Sequence, residues 1–378
     1  MKIAIMMRAM DKDSGFRALV DGMARAMVEA APAVQFVLIY QTDKWLGRFA
    51  AYSNVKEVLV RVKSPLLWDQ CAVPWIAWKE KVDVIFNTKF FAPLISPCPV
   101  TMGLQEPSWF TRREEYERWD ALYQRIMIPI SIRRCAHVFP NSRFILAENR
   151  RVLKLPIEHS TVTYSAADER FAPSHDPAAL QEFRNRYALS RPFILVVSRV
   201  LHFGMERAGF FAGKSPEIAY RAFTKIRDLI PHELVFAGKQ IEAYLRHTEG
   251  ADADFRGVRF LEFVPFEDMH LLYCAADLFV NPCVYEGCPN TVLQAMACGR
   301  PLIVADQGGS ADVAEGAALM AHSMDTDDLA KKMQLVSLDQ TLRNEMSTKS
   351  LTRSAQFTWH HAAVQTLDAL QRVVDRRK

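Results

Sequence analysis

The chain has 378 residues, 47 Lys and Arg against 43 Asp and Glu, and a formal net charge of +4, with 50% of its residues hydrophobic. That length sets two domains as the expectation, and so mild a charge does not argue for nucleic acid. No apolar run is long enough to cross a bilayer, and the seven cysteines, odd in number and without a CxxC pair, read as reduced structural thiols of the cytosol rather than as metal ligands.

Short apolar runs alternate with amphipathic segments along the chain. The first run, MKIAIMM, soon meets Arg8, Asp11, Lys12 and Asp13, so it reads as a strand and not as a signal peptide. In the first half, strands are expected at 3–7, 34–40, 55–60, 82–86, 100–104 and 137–140. Helical periodicity fits 16–30, 67–78, 116–134 and 144–152. The tract 166–192 is polar and proline-bearing and reads as the connection, with the hinge at 171–192. A second set of strands follows at 193–198, 233–237, 258–263, 277–281 and 302–305, and 359–374 is a last amphipathic helix. The alternation predicts α/β architecture with parallel sheets, in which ligands gather at the carboxyl ends of the strands.

Residues 281–309, NPCVYEGCPNTVLQAMACGRPLIVADQGG, condense this pattern. Two prolines and a glycine keep 282–290 out of regular helix. Asn290 or Thr291 can cap a helix whose apolar face is Val292, Leu293, Met296 and Ala297. Gly299 suits a left-handed helix end, Pro301 forbids continuation, and Leu302, Ile303 and Val304 make a buried strand. The helix start then aims free N–H groups and partial positive charge at the 286–290 loop, a setting suited to a diphosphate.

The same stretch resembles the donor-site signature of retaining glycosyltransferases of the GT-B fold, family 4: a Glu, seven residues, a second Glu, then a run like Ala-Met-Ala-x-Gly-x-Pro. Glu286 holds the first position and Ala295, Met296, Ala297, Gly299 and Pro301 the run. Gln294 stands where the family has its second Glu. The resemblance implies that Glu286 contacts hydroxyls of the donor sugar, that Gln294 takes the ribose diol with an amide in place of a carboxylate, and that Gly287, Cys288, Pro289, Asn290 and Thr291 line the donor site. It also implies that Arg199, closing a strand, and Lys214, in the loop beyond, lie on the donor diphosphate and offset charge on the leaving group. Residues 201–213 look like an insertion between them.

Weaker correspondences follow. Gly15, after the first strand, fits a loop that approaches a phosphate or sugar closely. Gln105 and Glu106 follow the strand VTMGL where the family commonly has His-Asp; Gln105 can hydrogen-bond a sugar hydroxyl, and Glu106 can bind the acceptor or act as base. Asn141-Ser142 matches a Ser-bearing turn and reads first as a helix cap. Gly308-Gly309 is either a wall of the donor pocket or a plain turn. The segment 107–134 carries Trp109, Phe110, Tyr116, Trp119 and Tyr123 among six arginines; this suits a membrane interface or an aromatic acceptor shelf, the alternative being a core helix with a solvated face.

The resemblance implies a GT-B architecture: two Rossmann-like domains facing each other across a cleft, 1–170 binding the acceptor and 193–358 the donor, with a C-terminal helix (359–378) crossing back to the first. It implies hexose transfer, with retention, from a GDP- or UDP-linked sugar to a glycan or lipid-linked oligosaccharide, in bacterial envelope polysaccharide synthesis. No cofactor, metal or nucleic acid is expected. The place expected is the cytoplasm, with peripheral contact at the inner face of the membrane through the first domain. The departures at Gln294 and Gln105-Glu106 motivate the alternative, a catalytically weak sugar-nucleotide-binding partner or synthase subunit.

Overall fold

The computed structural model describes residues 1–11, 15–88, 91–111, 118–155, 157–174, 176–198, 200, 214–250 and 252–377. In chain order the first half holds β1 (Lys2–Met6), α1 (Gly15–Ala30), β2 (Gln35–Tyr40), β3 (Val55–Leu59), α2 (Pro65–Leu67), α3 (Val73–Lys79), β4 (Val84–Asn87), β5 (Val100–Leu104), α4 (Ser108–Thr111), α5 (Arg118–Arg134), β6 (His137–Pro140) and α6 (Arg143–Leu153). There follow α7 (Pro177–Arg186), β7 (Phe193–Val197), α8 (Pro216–Thr224), β8 (Glu233–Ala237), α9 (Ile241–Glu249), β9 (Val258–Leu261), α10 (Met269–Ala275), β10 (Leu278–Asn281), α11 (Asn290–Ala297), β11 (Leu302–Ala305), α12 (Gly308–Val313), β12 (Leu319–Ala321), α13 (Thr326–Leu338), α14 (Gln340–Ser354) and α15 (Trp359–Asp375). They form two compact units, one of residues 1–166 and 358–378, the other of 167–357.

The first unit holds a six-stranded parallel sheet in the order β3-β2-β1-β4-β5-β6. Its inner strands are buried on both faces, as FVLIY and VTMGL require. On one face α1 and α15 pack over Ile3, Ile5, Phe36 and Leu38. On the other, Trp68, Val73 and Ile76 cover Ala4, Val37, Ile39 and Ile85. The second unit repeats the plan, with the order β12-β11-β10-β7-β8-β9. Phe223, Phe236, Tyr244 and Met333 fill one side of its core. Both sheets change winding direction beside their first strand, between β1 and β4 and between β7 and β10.

Four strands have their expected bounds, and the others differ from expectation by one or two residues at an end. Three features differ more. The helix expected at 67–78 is broken: a π-helical turn over Trp68–Ala72 separates α2 from α3. Pro74 cannot donate to the carbonyl four residues back, so the run cannot stay α-helical through it. The tract expected as a hinge contains α7, capped by Asp176, whose side chain accepts from Ala178 N and Ala179 N. Phe183 of α7 is buried and Arg184 donates to Ala275 O at 2.6 Å, so α7 is seated on the second unit. β12 was not anticipated; its three residues Leu319–Ala321 are too few and too exposed for an apolar run to show.

The last helix packs within the first unit, where Trp359 lies over Gly22 of α1 and a Cβ at Gly22 would stand 2.5 Å from the indole ring. Gly22→Ala is therefore expected to destabilise this unit by about 1–3 kcal/mol through overpacking. Urea unfolding followed by tryptophan fluorescence measures this, and an unchanged midpoint would show that α15 does not seat on α1 as described.

Candidate functional site at the carboxyl ends of the second sheet

The loop between β10 and α11 has no ladder of its own, and its course is set by three backbone constraints. Asn281, buried at the end of β10, accepts from Cys283 N at 3.1 Å and donates to Ser310 Oγ at 3.2 Å. Gly309 N donates to Glu286 O at 2.7 Å. A Cβ at Gly309 would lie 1.7 Å from Gly287 O, and one at Gly308 2.7 Å from Val284 O. Gly308-Gly309 is thus no plain turn: it opens α12 and lets that helix touch the loop backbone.

This course brings Glu286 to Lys214. Glu286 Oε1 is 3.0 Å from Lys214 Nζ, with both side chains about three-quarters buried at 21% and 25% exposure. The other oxygen, Oε2, is buried without a hydrogen-bond partner among the described residues. The same holds for Thr291 Oγ1, at the start of α11, and for Ser198 Oγ, at the end of β7. Buried polar atoms are ordinarily satisfied, and two left open within the 286–291 segment suit a polar ligand that supplies the partner. Arg199, expected beside them, lies outside the described residues.

The start of α11 corrects one expectation. Its cap is Pro289 and makes no side-chain hydrogen bond, while Asn290 and Thr291 are the first two helical residues. Proline fixes the extended entry but leaves the first amide donors uncapped by any side chain. The other end follows expectation: Gly299, at φ +66°, donates to Met296 O and Arg300 N to Ala295 O, both at 2.9 Å, a Schellman closure. One turn into α11, Gln294 Oε1 accepts from the buried hydroxyl of Tyr273 at 3.0 Å. Sequence reasoning missed Tyr273 and Ser198, because a tyrosine in an apolar helix and a serine ending a strand carry no pattern of their own.

The structure brings Lys214, Glu286, Gly287, Cys288, Pro289, Asn290, Thr291 and Gln294 onto one unit; Gly15, Gln105 and Glu106 belong to the other. Gly15 opens α1 and its loop, 12–14, lies outside the described residues. Gln105 is buried and its carbonyl accepts from Asn149 Nδ2 at 2.9 Å; Glu106 follows it. Ser142 caps α6 by accepting from Ile145 N at 3.1 Å. The first unit also holds an ion pair the sequence did not suggest. Arg8, just past β1, meets Asp69 of the π turn at 2.6 Å and lies over the Trp68 ring. A lone acid inside the apolar run LLWDQCAVPW was its only trace.

Residues 193–339 match the family model described as glycosyl transferases group 1. The O-antigen chain mannosyltransferase B of Escherichia coli is 33% identical over 112 residues, 30% of this chain and 29% of that protein. The serotype-specific mannosyltransferase WbdA of the same species is 24% identical over 252 residues, 64% of this chain and again 29% of that protein. The chain therefore spans under a third of the length of these curated relatives. Among solved structures, a glycosyltransferase from Rickettsia africae superposes with a TM-score of 0.70 at 13% identity, covering 99% of this chain and 98% of that one. Anabaena HepE, solved with UDP and glucose, superposes at 0.68 and 16% identity, covering 98% and 99%. Residues 193–339 thus carry the glycosyl transferases group 1 match, and two six-stranded parallel sheets of this order give the chain the GT-B fold.

Proposed function

We propose that the protein is a retaining glycosyltransferase that moves a hexose from a GDP- or UDP-linked sugar to a glycan or lipid-linked glycan, in the building of a bacterial envelope polysaccharide. The observation that carries this is the 286–291 segment, where Glu286 Oε2 and Thr291 Oγ1 are buried without a hydrogen-bond partner among the described residues and the start of α11 has no side-chain cap. Such a place suits hydroxyls and a diphosphate together: the helix end attracts the anion and the open acceptors take sugar O–H groups. Two relatives are mannosyltransferases and the HepE complex holds UDP, which supports the hexose and the uridine nucleotide.

In this reading Glu286 holds hydroxyls of the donor sugar and Lys214 pairs with the diphosphate, the role the resemblance also implies for Arg199. The bond from the anomeric carbon to the diphosphate oxygen breaks, and the acceptor oxygen bonds that carbon on the same face. The acceptor proton passes to the leaving phosphate. The cations stabilise the departing charge, and no metal is required for that. The ion pair of Glu286 with Lys214 is the resting arrangement that the donor replaces.

Membrane contact is part of the same proposal, supported by α5. Trp119, Leu122 and Ile126 recur along its outer side at 83%, 48% and 52% exposure, with Arg125, Arg133 and Arg134 also exposed. Ala121, Ile128 and Ile132 form its buried side. An exposed apolar stripe with arginines suits an anionic lipid interface. No helix among the described residues is long and apolar enough to cross a membrane.

Thermal unfolding against UDP-, GDP-, ADP- and TDP-sugars, without added metal, tests the donor site. One nucleotide class at about a hundred times its dissociation constant should add about 2.7 kcal/mol; no response from a folded sample would count against the donor site. With the responding donor, Glu286→Ala should fold normally and lose at least about a hundredfold in turnover, and full turnover by that variant would remove Glu286 from the site. Sedimentation with vesicles containing anionic lipid should recover the protein, and Trp119→Ser with Leu122→Ser should cut recovery several-fold; equal recovery would exclude α5 as the contact.

A further inference from the structure

The outward side of α2 and α3 is apolar and left uncovered by the described residues of the first unit. The inward side, with Trp68, Val73, Ile76 and Ala77, is buried in the core. Outward stand Leu67, Cys71, Trp75 and Trp78, all exposed, the two tryptophans at 53% and 69%. Steps of four, four and three residues keep these positions on one helical side. Gln70 of the π turn extends the surface. Its Nε2 donates to Ala92 O at 3.2 Å and its Oε1 accepts from Leu94 N at 2.8 Å. The loop held in this way carries Ile95 at 84% exposure. Large apolar side chains gathered on an open surface mark a place of contact.

Charge says what kind of partner fits. Lys63, before α2, and Lys79 and Lys81, at the end of α3, are exposed. The two acids of the same stretch are turned away. Asp69 is buried on Arg8 at 2.6 Å, and the mostly buried Glu80 takes Lys56 at 2.8 Å. No exposed acid therefore stands between 63 and 81. Lys79 Nζ lies 5.1 Å from the centre of the Trp75 ring. Tryptophan and lysine side by side suit the boundary of a bilayer, where the indole sits among headgroups and the ammonium reaches phosphates. An apolar protein surface would cover the tryptophans and leave the lysines without counter-charge; an anionic lipid surface answers both.

We infer that the outward side of α2 and α3, with Ile95, docks on an anionic phospholipid bilayer. Trp75 and Trp78 enter the boundary between headgroups and acyl chains, and Lys63, Lys79 and Lys81 meet headgroup phosphates. This surface is a different one from the α5 stripe, and it depends neither on α5 meeting lipid nor on the donor site. The 92–95 loop is tied to both helical elements, since Ala92 N also donates to Ser131 Oγ of α5 at 3.3 Å.

Cys71 is the one exposed cysteine of the seven and places a reporter within the surface. The full chain, labelled there with a polarity-sensitive fluorophore, should shift to the blue on vesicles of phosphatidylcholine with phosphatidylglycerol and not on phosphatidylcholine alone. In vesicle sedimentation, Trp75→Ser with Trp78→Ser should weaken affinity for the anionic vesicles at least about tenfold. Lys63→Gln with Lys79→Gln and Lys81→Gln should weaken it by at least about as much and flatten its salt dependence. These side chains are exposed, so both variants should melt as the wild type does. Unchanged affinity of the folded variants would overturn the inference. Sedimentation with anionic vesicles but no blue shift at Cys71 would also overturn it, and would leave the contact to α5. A blue shift raised by unlabelled protein without vesicles would overturn it in favour of a second copy covering the surface.

Discussion

The position of Glu286 depends on the absence of a side chain at residue 309. A loop that leaves a buried strand must satisfy its backbone without a ladder, and here the satisfaction comes from α12, whose Gly309 N reaches Glu286 O at 2.7 Å. That approach is possible only because a Cβ at 309 would coincide with Gly287 O. Holding the carboxylate through main-chain atoms leaves its own oxygens for other work. One takes Lys214 and the other is left open. An unsatisfied buried oxygen costs about 1–3 kcal/mol, and a fold accepts such a cost where a ligand is to relieve it.

Much of this was legible in the sequence, for physical reasons that differ by element. The strands at 100–104, 137–140, 233–237 and 302–305 are short, apolar and closed by polar or breaker residues, so burial on both faces leaves one reading. The break at Gly299 and Pro301 was legible because only glycine accepts a left-handed helix end at no cost and proline cannot extend a helix. The start of the same helix was not. Asn290 and Thr291 are good caps in isolation, but Pro289 already sets the extended entry, and the chain enters the helix one residue earlier. The tract around α7 read as a hinge because its polar and proline residues dominate, although Asp176 and Pro177 are also a helix start. Composition gave one answer there and local capping chemistry the other; the burial of Phe183 decides between them.

The first unit shows what periodicity alone leaves open. In α5 the spacing of Trp119, Leu122 and Ile126 is that of a core stripe, yet the core lies on the side of Ile128 and Ile132. A helix with apolar residues on both sides, interrupted by Pro129, gives the sequence no way to tell which side the sheet takes. The π turn at Trp68–Ala72 is similar. The apolar run announced a helix, but the shift of register that carries Asp69 to Arg8 follows from one proline's missing donor.

Charge decides what the second unit can hold. Among the described residues, the Glu286 loop brings one carboxylate to one ammonium on Lys214, and the helix end adds partial positive charge that attracts a diphosphate. Gln294 stands where the family pattern would place a glutamate. The substitution keeps the acceptor that Tyr273 needs, since an amide oxygen takes its hydroxyl hydrogen as a carboxylate would, and it removes the charge. The buried tyrosine and the amide are thus matched: the phenol requires an acceptor at 294, and the glutamine oxygen supplies it.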